Sequence, residues 1–271
     1  MFKINNLTYQ YDKTRKALDN VSMDFNKGDI IGIIGSNGSG KSTLFNNLMG
    51  ILKSTEGEIL YNGEQIKYDK KSLYNLRKEV GIVFQDTEKQ IFYSMVYDDI
   101  AFALRNIGID EKTIKERIHT ALEAVNGLQF IDRPVHNLSF GQKKRVAIAS
   151  VVAMENKLVL LDEPTAGLDP ISTRAIVDII KGLNKRGVKI VISSHDMNLI
   201  YEICDYVYVL NQGVLINEGT REEVFINEEK IDEAGLELPW LVKLHKNMGL
   251  PLFPKEEDLY SFWNKQAQKT V

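Results

Sequence analysis

Short apolar runs set the rhythm of this chain. Asp29-Ile30-Ile31-Gly32-Ile33-Ile34 ends in a glycine-rich turn, and Lys41-Ser42-Thr43-Leu44-Phe45 behind it opens a helical pattern. Residues 80–84, 158–161 and 188–192 read as further buried strands, separated by longer segments that read better as helices. This alternation predicts an α/β protein with a mainly parallel core sheet. Between residues 110 and 127, Ile114, Ile118, Leu122 and Val125 recur at helical spacing. Glu111, Lys112, Lys115, Glu116 and Arg117 occupy other faces, so the charged run reads as a solvated helix surface. After Gly219 the composition shifts to an acidic, helix-like segment ahead of Leu238-Pro239-Trp240 and Gly249-Leu250-Pro251, which predicts a small C-terminal extension.

Length and composition narrow the class. A chain of 271 residues with 44% hydrophobic and 26% charged residues has the make-up of a folded globular protein with one large domain, or one domain and a smaller companion. Its longest apolar stretches, such as residues 146–154, fall far short of the roughly 20 residues that cross a bilayer. The opening Met1-Phe2-Lys3-Ile4-Asn5-Asn6 lacks the pattern of a secretory leader, so the chain is expected to stay in the cytoplasm. The single cysteine, Cys204, excludes an internal disulfide framework and reads as a small buried apolar residue in a reducing compartment. A net charge of −3 gives no electrostatic reason to expect nucleic acid as a partner.

The candidate chemistry begins at Gly35-Ser36-Asn37-Gly38-Ser39-Gly40-Lys41-Ser42, which fits the phosphate-loop pattern GxxxxGKS between a predicted strand and a predicted helix. Glycines let the backbone curl so that its N–H groups face phosphate oxygens, and the helix N-terminus adds a partial positive charge. Lys41 is expected to reach the β- and γ-phosphates, Ser42 to coordinate Mg²⁺, and Thr43 to add a hydrogen bond. A glycine-rich turn with a chance lysine is the plainer alternative, and the full pattern in its proper context weighs against it. By itself the loop says NTPase and no more. Leu158-Val159-Leu160-Leu161-Asp162-Glu163 then delivers two carboxylates at the end of an apolar strand. Asp162 is expected to support the Mg²⁺ shell and Glu163 to orient or deprotonate the attacking water.

Leu138-Ser139-Phe140-Gly141-Gln142 precedes the helical residues 143–154 and lies shortly before that acidic strand. Alone it would pass for an ordinary helix cap. In this order with the other motifs, the chain resembles an ABC-transporter ATPase with its signature sequence, and the resemblance covers nearly the whole chain. Phe140 departs from the family's usual glycine. The resemblance implies that Ser139, Gly141 and Gln142 meet the γ-phosphate of an ATP held by a second subunit. It also implies that Gln85 senses Mg²⁺ and communicates with the membrane partner, that Asp169, after Ala166-Gly167-Leu168, belongs to a dimer-contact loop, and that His195 contacts the γ-phosphate. Tyr11 matches the aromatic position that stacks on adenine, with Tyr9 packed inside. His119, His136 and His245 form no ligand-like cluster and are read as structural.

Gln90-Ile91-Phe92, Asp99-Ile100-Ala101-Phe102, the run Gly141-Gln142-Lys143-Lys144-Arg145-Val146 and Glu233-Ala234-Gly235-Leu236-Glu237-Leu238-Pro239 look like the energy-coupling-factor branch, which includes cobalt-importer ATPases. The expected fold is an α/β P-loop NTPase with an N-terminal antiparallel β region, an inserted helical signature subdomain and a small C-terminal helical extension. The expected division is an ATPase domain over 1–220, with the helical subdomain at roughly 86–155, and an extension over 221–271 that contacts a dimer partner. ATP and Mg²⁺ are the implied cofactors. The implied partners are a second, head-to-tail ATPase subunit, a transmembrane coupling protein and a substrate-binding membrane protein, at the cytoplasmic face of the membrane. Cobalt, another transition-metal ion or a vitamin is the implied cargo. An ABC ATPase acting on chromosomes would carry a long heptad insertion, and a translation-associated one two cassettes in tandem; a non-hydrolysing regulator is the third alternative, against which Glu163 and His195 argue.

Overall fold

The computed structural model describes residues 1–12 and 15–267. In chain order the elements are β1 (Phe2–Gln10), β2 (Lys16–Asp24), β3 (Ile30–Ile34), α1 (Lys41–Leu48), β4 (Glu56–Tyr61), β5 (Glu64–Gln65), α2 (Lys70–Glu79) and β6 (Val80–Val83). Helices α3 (Val96–Asn106), α4 (Glu111–Ala124) and α5 (Phe140–Ala153) follow before β7 (Leu158–Asp162), α6 (Pro170–Lys185), β8 (Lys189–Ser194), α7 (Met197–Ile203), β9 (Tyr206–Asn211) and β10 (Val214–Thr220). The chain continues through α8 (Arg221–Ile226), α9 (Glu228–Glu233), α10 (Trp240–Met248) and α11 (Glu256–Ala267).

Two sheets form, ordered β2-β1-β4-β5 and β10-β9-β3-β8-β7-β6. The first is antiparallel throughout. In the second, β9, β3, β8, β7 and β6 run parallel, and β10 closes one edge antiparallel. This is the α/β arrangement expected from the alternating runs. The parallel strands read as continuous apolar stretches because successive side chains enter different cores. Ile31 and Ile33 of β3, with Leu158 and Leu160 of β7, pack with Phe2, Leu7 and Phe45 beneath the antiparallel sheet. Ile30, Ile34, Val159 and Leu161 face the other way, into the core shared with the helices.

Helix α4 buries Ile114, Ile118 and Leu122 as its spacing predicts, and begins at Asp110, whose carboxylate accepts the Thr113 amide. Helix α5 starts at Phe140, earlier than the apolar pattern from residue 143 suggests. The cause is local: Ser139 and Gln142 cap each other's backbone amides. Strand β8 is displaced by a residue from the expected 188–192 and extends through Ser193 and Ser194, because Ser193 continues the pairing with Asp162 of β7. Thr220 and Glu223 form a second such box that opens α8. Phe225, Ile231 and Val242 from the C-terminal helices, with Phe253 from the segment between α10 and α11, join the same core as β7 and β8. The last four residues of the expected C-terminal extension lie outside the described residues. No described helix is long and apolar enough to cross a membrane.

Candidate functional site

Every sequence-predicted chemical group of the core sheet leaves a carboxyl-terminal strand end, where open α/β sheets bind ligands. The phosphate loop follows β3, Gln85 follows β6, Asp162 ends β7 with Glu163 directly behind it, and His195 follows β8. Parallel pairing of these strands brings residues far apart in sequence to one edge.

The loop wraps tightly. Gly35 carries φ +155°, and a Cβ there would come within 2.2 Å of the Leu210 carbonyl oxygen. Gly40, the N-cap of α1, carries φ +109°, and a Cβ on it would sit 2.7 Å from the Ala17 carbonyl oxygen. Glycine's freedom at positive φ is therefore structural necessity at Gly40. The same choice leaves α1 without a side-chain cap, so its first amides have no side-chain acceptor. Lys41 is buried, and its ammonium donates to the Gly35 carbonyl at 2.7 Å and the Ser36 carbonyl at 3.2 Å. It stands 3.9 Å from Glu163 Oε1. Burial pulls the Lys41 pKa below its ordinary value, and the charges of Glu163 and Asp162 oppose that shift.

Glu163 is buried and adopts φ +48°, a conformation that L side chains rarely take. Its amide lies 3.0 Å from Ser193 Oγ, and Ser193 Oγ donates to Asp162 Oδ1 at 2.5 Å. Its Oε2 meets His195 Nδ1 at 2.8 Å, whereas Oε1 is buried with no hydrogen-bond partner. An orphaned carboxylate oxygen beside a buried ammonium and an uncapped helix start leaves polar groups to be satisfied by a ligand.

A cavity of about 410 Å³ collects these groups, within the usual range for small-molecule sites. Tyr11, Asn37, Gly38, Ser39, Gly40, Lys41, Ser42, Thr43, Gln85 and Glu163 line it. Gly35, Ser36, Asp162 and His195 do not line it but are joined to lining residues by the bonds just given, Asp162 through Ser193. Tyr11 is largely exposed; its hydroxyl lies 3.2 Å from Thr43 Oγ1 and its ring meets that of half-buried Tyr9 edge-on at 5.0 Å. Cys204 is buried, and burial pushes its thiol pKa up. Among the described residues no group of three His, Cys, Asp or Glu could hold a metal ion.

The other sequence-predicted residues do not line this cavity. Ser139 Oγ accepts the Gln142 amide at 3.3 Å and Gln142 Oε1 accepts the Ser139 amide at 2.9 Å. Asp169 caps α6, accepting from the amides of Ile171 at 2.9 Å and Ser172 at 3.0 Å and from the Ser172 hydroxyl at 2.6 Å. These bonds hold its carboxyl below the usual range, the Ser172 hydroxyl most of all. A Cβ on Gly141 would approach Ser172 Oγ to 3.0 Å, so the starts of α5 and α6 nearly touch.

Two residues bonded to the site are given no role in it by the sequence motifs. Ser193 bridges Asp162 and the Glu163 amide. Lys144, fully buried, donates to the carbonyls of Glu163 and Gln85. Lys144 did leave a signal: with Ala147, Ile148 and Val151 it falls on the i, i+3, i+4, i+7 stripe that α5 buries, an unusual place for a charge. Ser193 left none.

Known proteins resemble this chain over most of its length. The family described as ABC transporter matches residues 18–166. The cobalt import ATP-binding protein CbiO of Salmonella typhimurium is 45% identical over 267 residues, covering 98% of this chain and 98% of its own length. The energy-coupling factor transporter ATP-binding protein EcfA of Methanosphaera stadtmanae is 42% identical over 92% of this chain and 89% of its own. Among solved structures, cbiO1 of Clostridium perfringens, described as part of the ABC transporter complex cbiONQ, superposes with a TM-score of 0.78 at 41% identity, covering 90% of this chain and 98% of that one. A dimeric bacterial ABC transporter cassette, MJ0796, superposes with a TM-score of 0.75 at 27% identity, covering 82% of this chain and 99% of that one. With its phosphate loop, acidic strand end and signature helix in one cassette, the chain belongs to the ABC transporter family and is an ATPase.

Proposed function

We propose that this chain is the ATP-hydrolysing subunit of an energy-coupling-factor importer, energising uptake of cobalt or a related transition-metal ion through membrane partners. The observation that carries the catalytic half of this reading is Glu163: a buried carboxylate with one oxygen on His195 and the other unpartnered, facing Lys41 across the phosphate-loop cavity. The uncapped start of α1 and the Lys41 ammonium suit the phosphates of ATP, and the exposed ring of Tyr11 suits its base. Oxygen donors at Ser42 and Gln85 on the cavity wall, with Asp162 behind them, suit Mg²⁺, which favours oxygen ligands and supplies charge neutralisation at the phosphates.

In this reading Glu163 orients and deprotonates the attacking water, and His195 holds the carboxylate and reaches the γ-phosphate. Lys41 and the loop amides hold the phosphates. Ser139, Gly141 and Gln142 act on the ATP of a second subunit, which fits their position outside this chain's own cavity. Two cassettes close head to tail around two nucleotides, with Asp169 near the contact, and loss of the γ-phosphate reopens them. Residues 1–220 are assigned to the ATPase domain, about 86–155 to its helical subdomain, and 221–271 to an extension that contacts the partner cassette. The assembly sits peripherally on the cytoplasmic face of the membrane, where Gln85 passes the motion to a coupling membrane protein that works with a substrate-binding membrane protein. The names of the cobalt-import and energy-coupling-factor relatives support this branch.

Glu163→Gln is expected to retain ATP binding and favour the closed dimer while turnover falls about 100-fold or more, the scale of a lost general base. Unchanged turnover removes Glu163 from this role. For the branch and cargo, the tagged chain is purified from solubilised native membranes and its co-eluting proteins are identified. Uptake of radioactive cobalt is compared with and without the chain. Recovery of a coupling membrane protein with cobalt uptake that depends on this chain supports the reading. A vitamin-binding membrane protein with unchanged cobalt uptake transfers the same role to a vitamin, and recovery of DNA-repair or ribosomal proteins alone ends the transporter reading.

A further inference from the structure

Among the described residues two lysines are buried, Lys41 and Lys144, and only Lys41 is used by the reading above. Lys144 lies little more than a turn after Ser139 in α5 and is 0% exposed. Its ammonium donates to the carbonyl oxygen of Glu163 at 2.9 Å and to that of Gln85 at 3.2 Å. These acceptors come from the ends of β7 and β6, and the donor from a third element. A buried ammonium is costly unless its hydrogen bonds are made, and here the bonds go to main-chain oxygens of two residues that line the phosphate-loop cavity. The Phe140 ring lies 5.4 Å from the ammonium, and a Cβ on Gly167 would meet Phe140 at 3.4 Å. Burial lowers the Lys144 pKa against the raising charges of Glu163, Asp162 and Asp86.

The Glu163 backbone is held at φ +48°, so something must keep that turn in place, and Lys144 bonds its carbonyl. The Gln85 carbonyl marks the point where the chain leaves β6 on its way to α3. An apolar side chain at 144 would fill the space but leave both carbonyls without this donor.

We infer that Lys144 is a positioning residue for hydrolysis: its ammonium bolts the main chain of Gln85 and of Glu163 to the signature helix, so that the two side chains and Ser139 keep one common frame. This rests on the roles given to Glu163 and Gln85 above. A shift at Gln85 is passed to α5 through one side chain, and the Glu163 carboxylate is held where water must be oriented. A group that merely filled space would affect stability and leave the chemical step alone.

The test is a graded series in the full chain, alone or with the membrane proteins that co-purify with it. Lys144→Met keeps the length of the side chain and removes both donations. Lys144→Gln keeps an amide donor on a shorter arm that reaches one carbonyl at most. ATPase kcat and KM, binding of a fluorescent ATP analogue and thermal melting are measured for each, with Glu163→Gln as the control. The expected result is kcat lowered about tenfold or more in Lys144→Met and by an intermediate factor in Lys144→Gln, with KM and analogue binding within about threefold of the parent, as for loss of reactive geometry. A kcat for Lys144→Met within about twofold of the parent overturns the inference, as does a kcat loss accompanied by an equal loss of analogue binding. If Lys144→Met does not fold, Lys144→Gln decides alone: a lowered kcat at constant KM supports the inference and an unchanged kcat overturns it. If Glu163→Gln itself leaves turnover unchanged, the site reading above has failed; if it abolishes turnover while the Lys144 variants do not lower it, only the role of Lys144 has failed.

Discussion

Two helix starts that the proposed reading brings to phosphate, those of α1 and α5, are built in opposite ways. Helix α1 begins at Gly40 in a left-handed conformation with no side-chain cap, so its first amides wait for an acceptor. Helix α5 begins at Ser139, where Ser139 and Gln142 satisfy each other's amides. The first is a completed half of a binding site, with a buried lysine and a lined cavity in front of it. The second has its Ser139 and Gln142 amides satisfied by its own capping box and does not line that cavity. The contrast teaches how one fold offers two kinds of half-site. A glycine turn holds amides open at a conformational cost, while a capping box keeps a solvent-facing helix end stable until a partner arrives.

That comparison is broken most severely at the open end. Lys41→Ala is expected to weaken nucleotide binding by about 100-fold and to stop measurable hydrolysis, since a charge-assisted contact to phosphate is lost along with the groups it organises. Titration with a fluorescent ATP analogue checks it, and near-normal affinity would mean that the amides of α1 alone carry binding. Gly40→Ala attacks the geometry of the same end. At φ +109°, with the Ala17 oxygen at 2.7 Å from the new Cβ, it is expected to cost about 1–3 kcal/mol of stability in urea unfolding. A neutral result would show that the loop can relax without glycine. At the closed end Ser139→Ala should cost only about 1 kcal/mol, the worth of a helix cap. Affinity for ATP in a single chain should stay unchanged, because Ser139 does not line the cavity. Turnover should still fall, because on the proposed reading Ser139 serves the partner's nucleotide; loss of affinity in the isolated chain would erase the contrast between the two ends.

Much of this arrangement was legible in the residues, and the missing parts share a cause. The phosphate loop could be read because its chemistry is local: glycines, lysine and hydroxyl must follow one another for one turn to hold a phosphate. The apolar run ending in Asp162 and Glu163 was readable for the same reason, since one strand carries both the burial and the acids. The start of α5 was readable only in part. Ser139 and Gln142 have the spacing of a capping box, yet the apolar period begins later, so the helix started before the pattern did. Lys144 reads as one member of a basic run, and only its place on the buried stripe sets it apart. Ser193 looks like any strand-end serine.

The sequence by itself determined four strands of the core sheet, their parallel arrangement with intervening helices and the contiguous phosphate-loop motif, because hydrophobic period, turn chemistry and a contiguous motif act over a few residues. Only the tertiary structure decided that one oxygen of Glu163 rests on His195 while the other faces Lys41 without a hydrogen bond, that Ser193 ties Asp162 to the Glu163 amide, and that Lys144 spans from α5 to two strand ends. Those contacts join residues on separate strands and helices. Their partners are carbonyl and amide groups that every residue carries, so no choice of side chain in the sequence announces them until strand pairing brings them together.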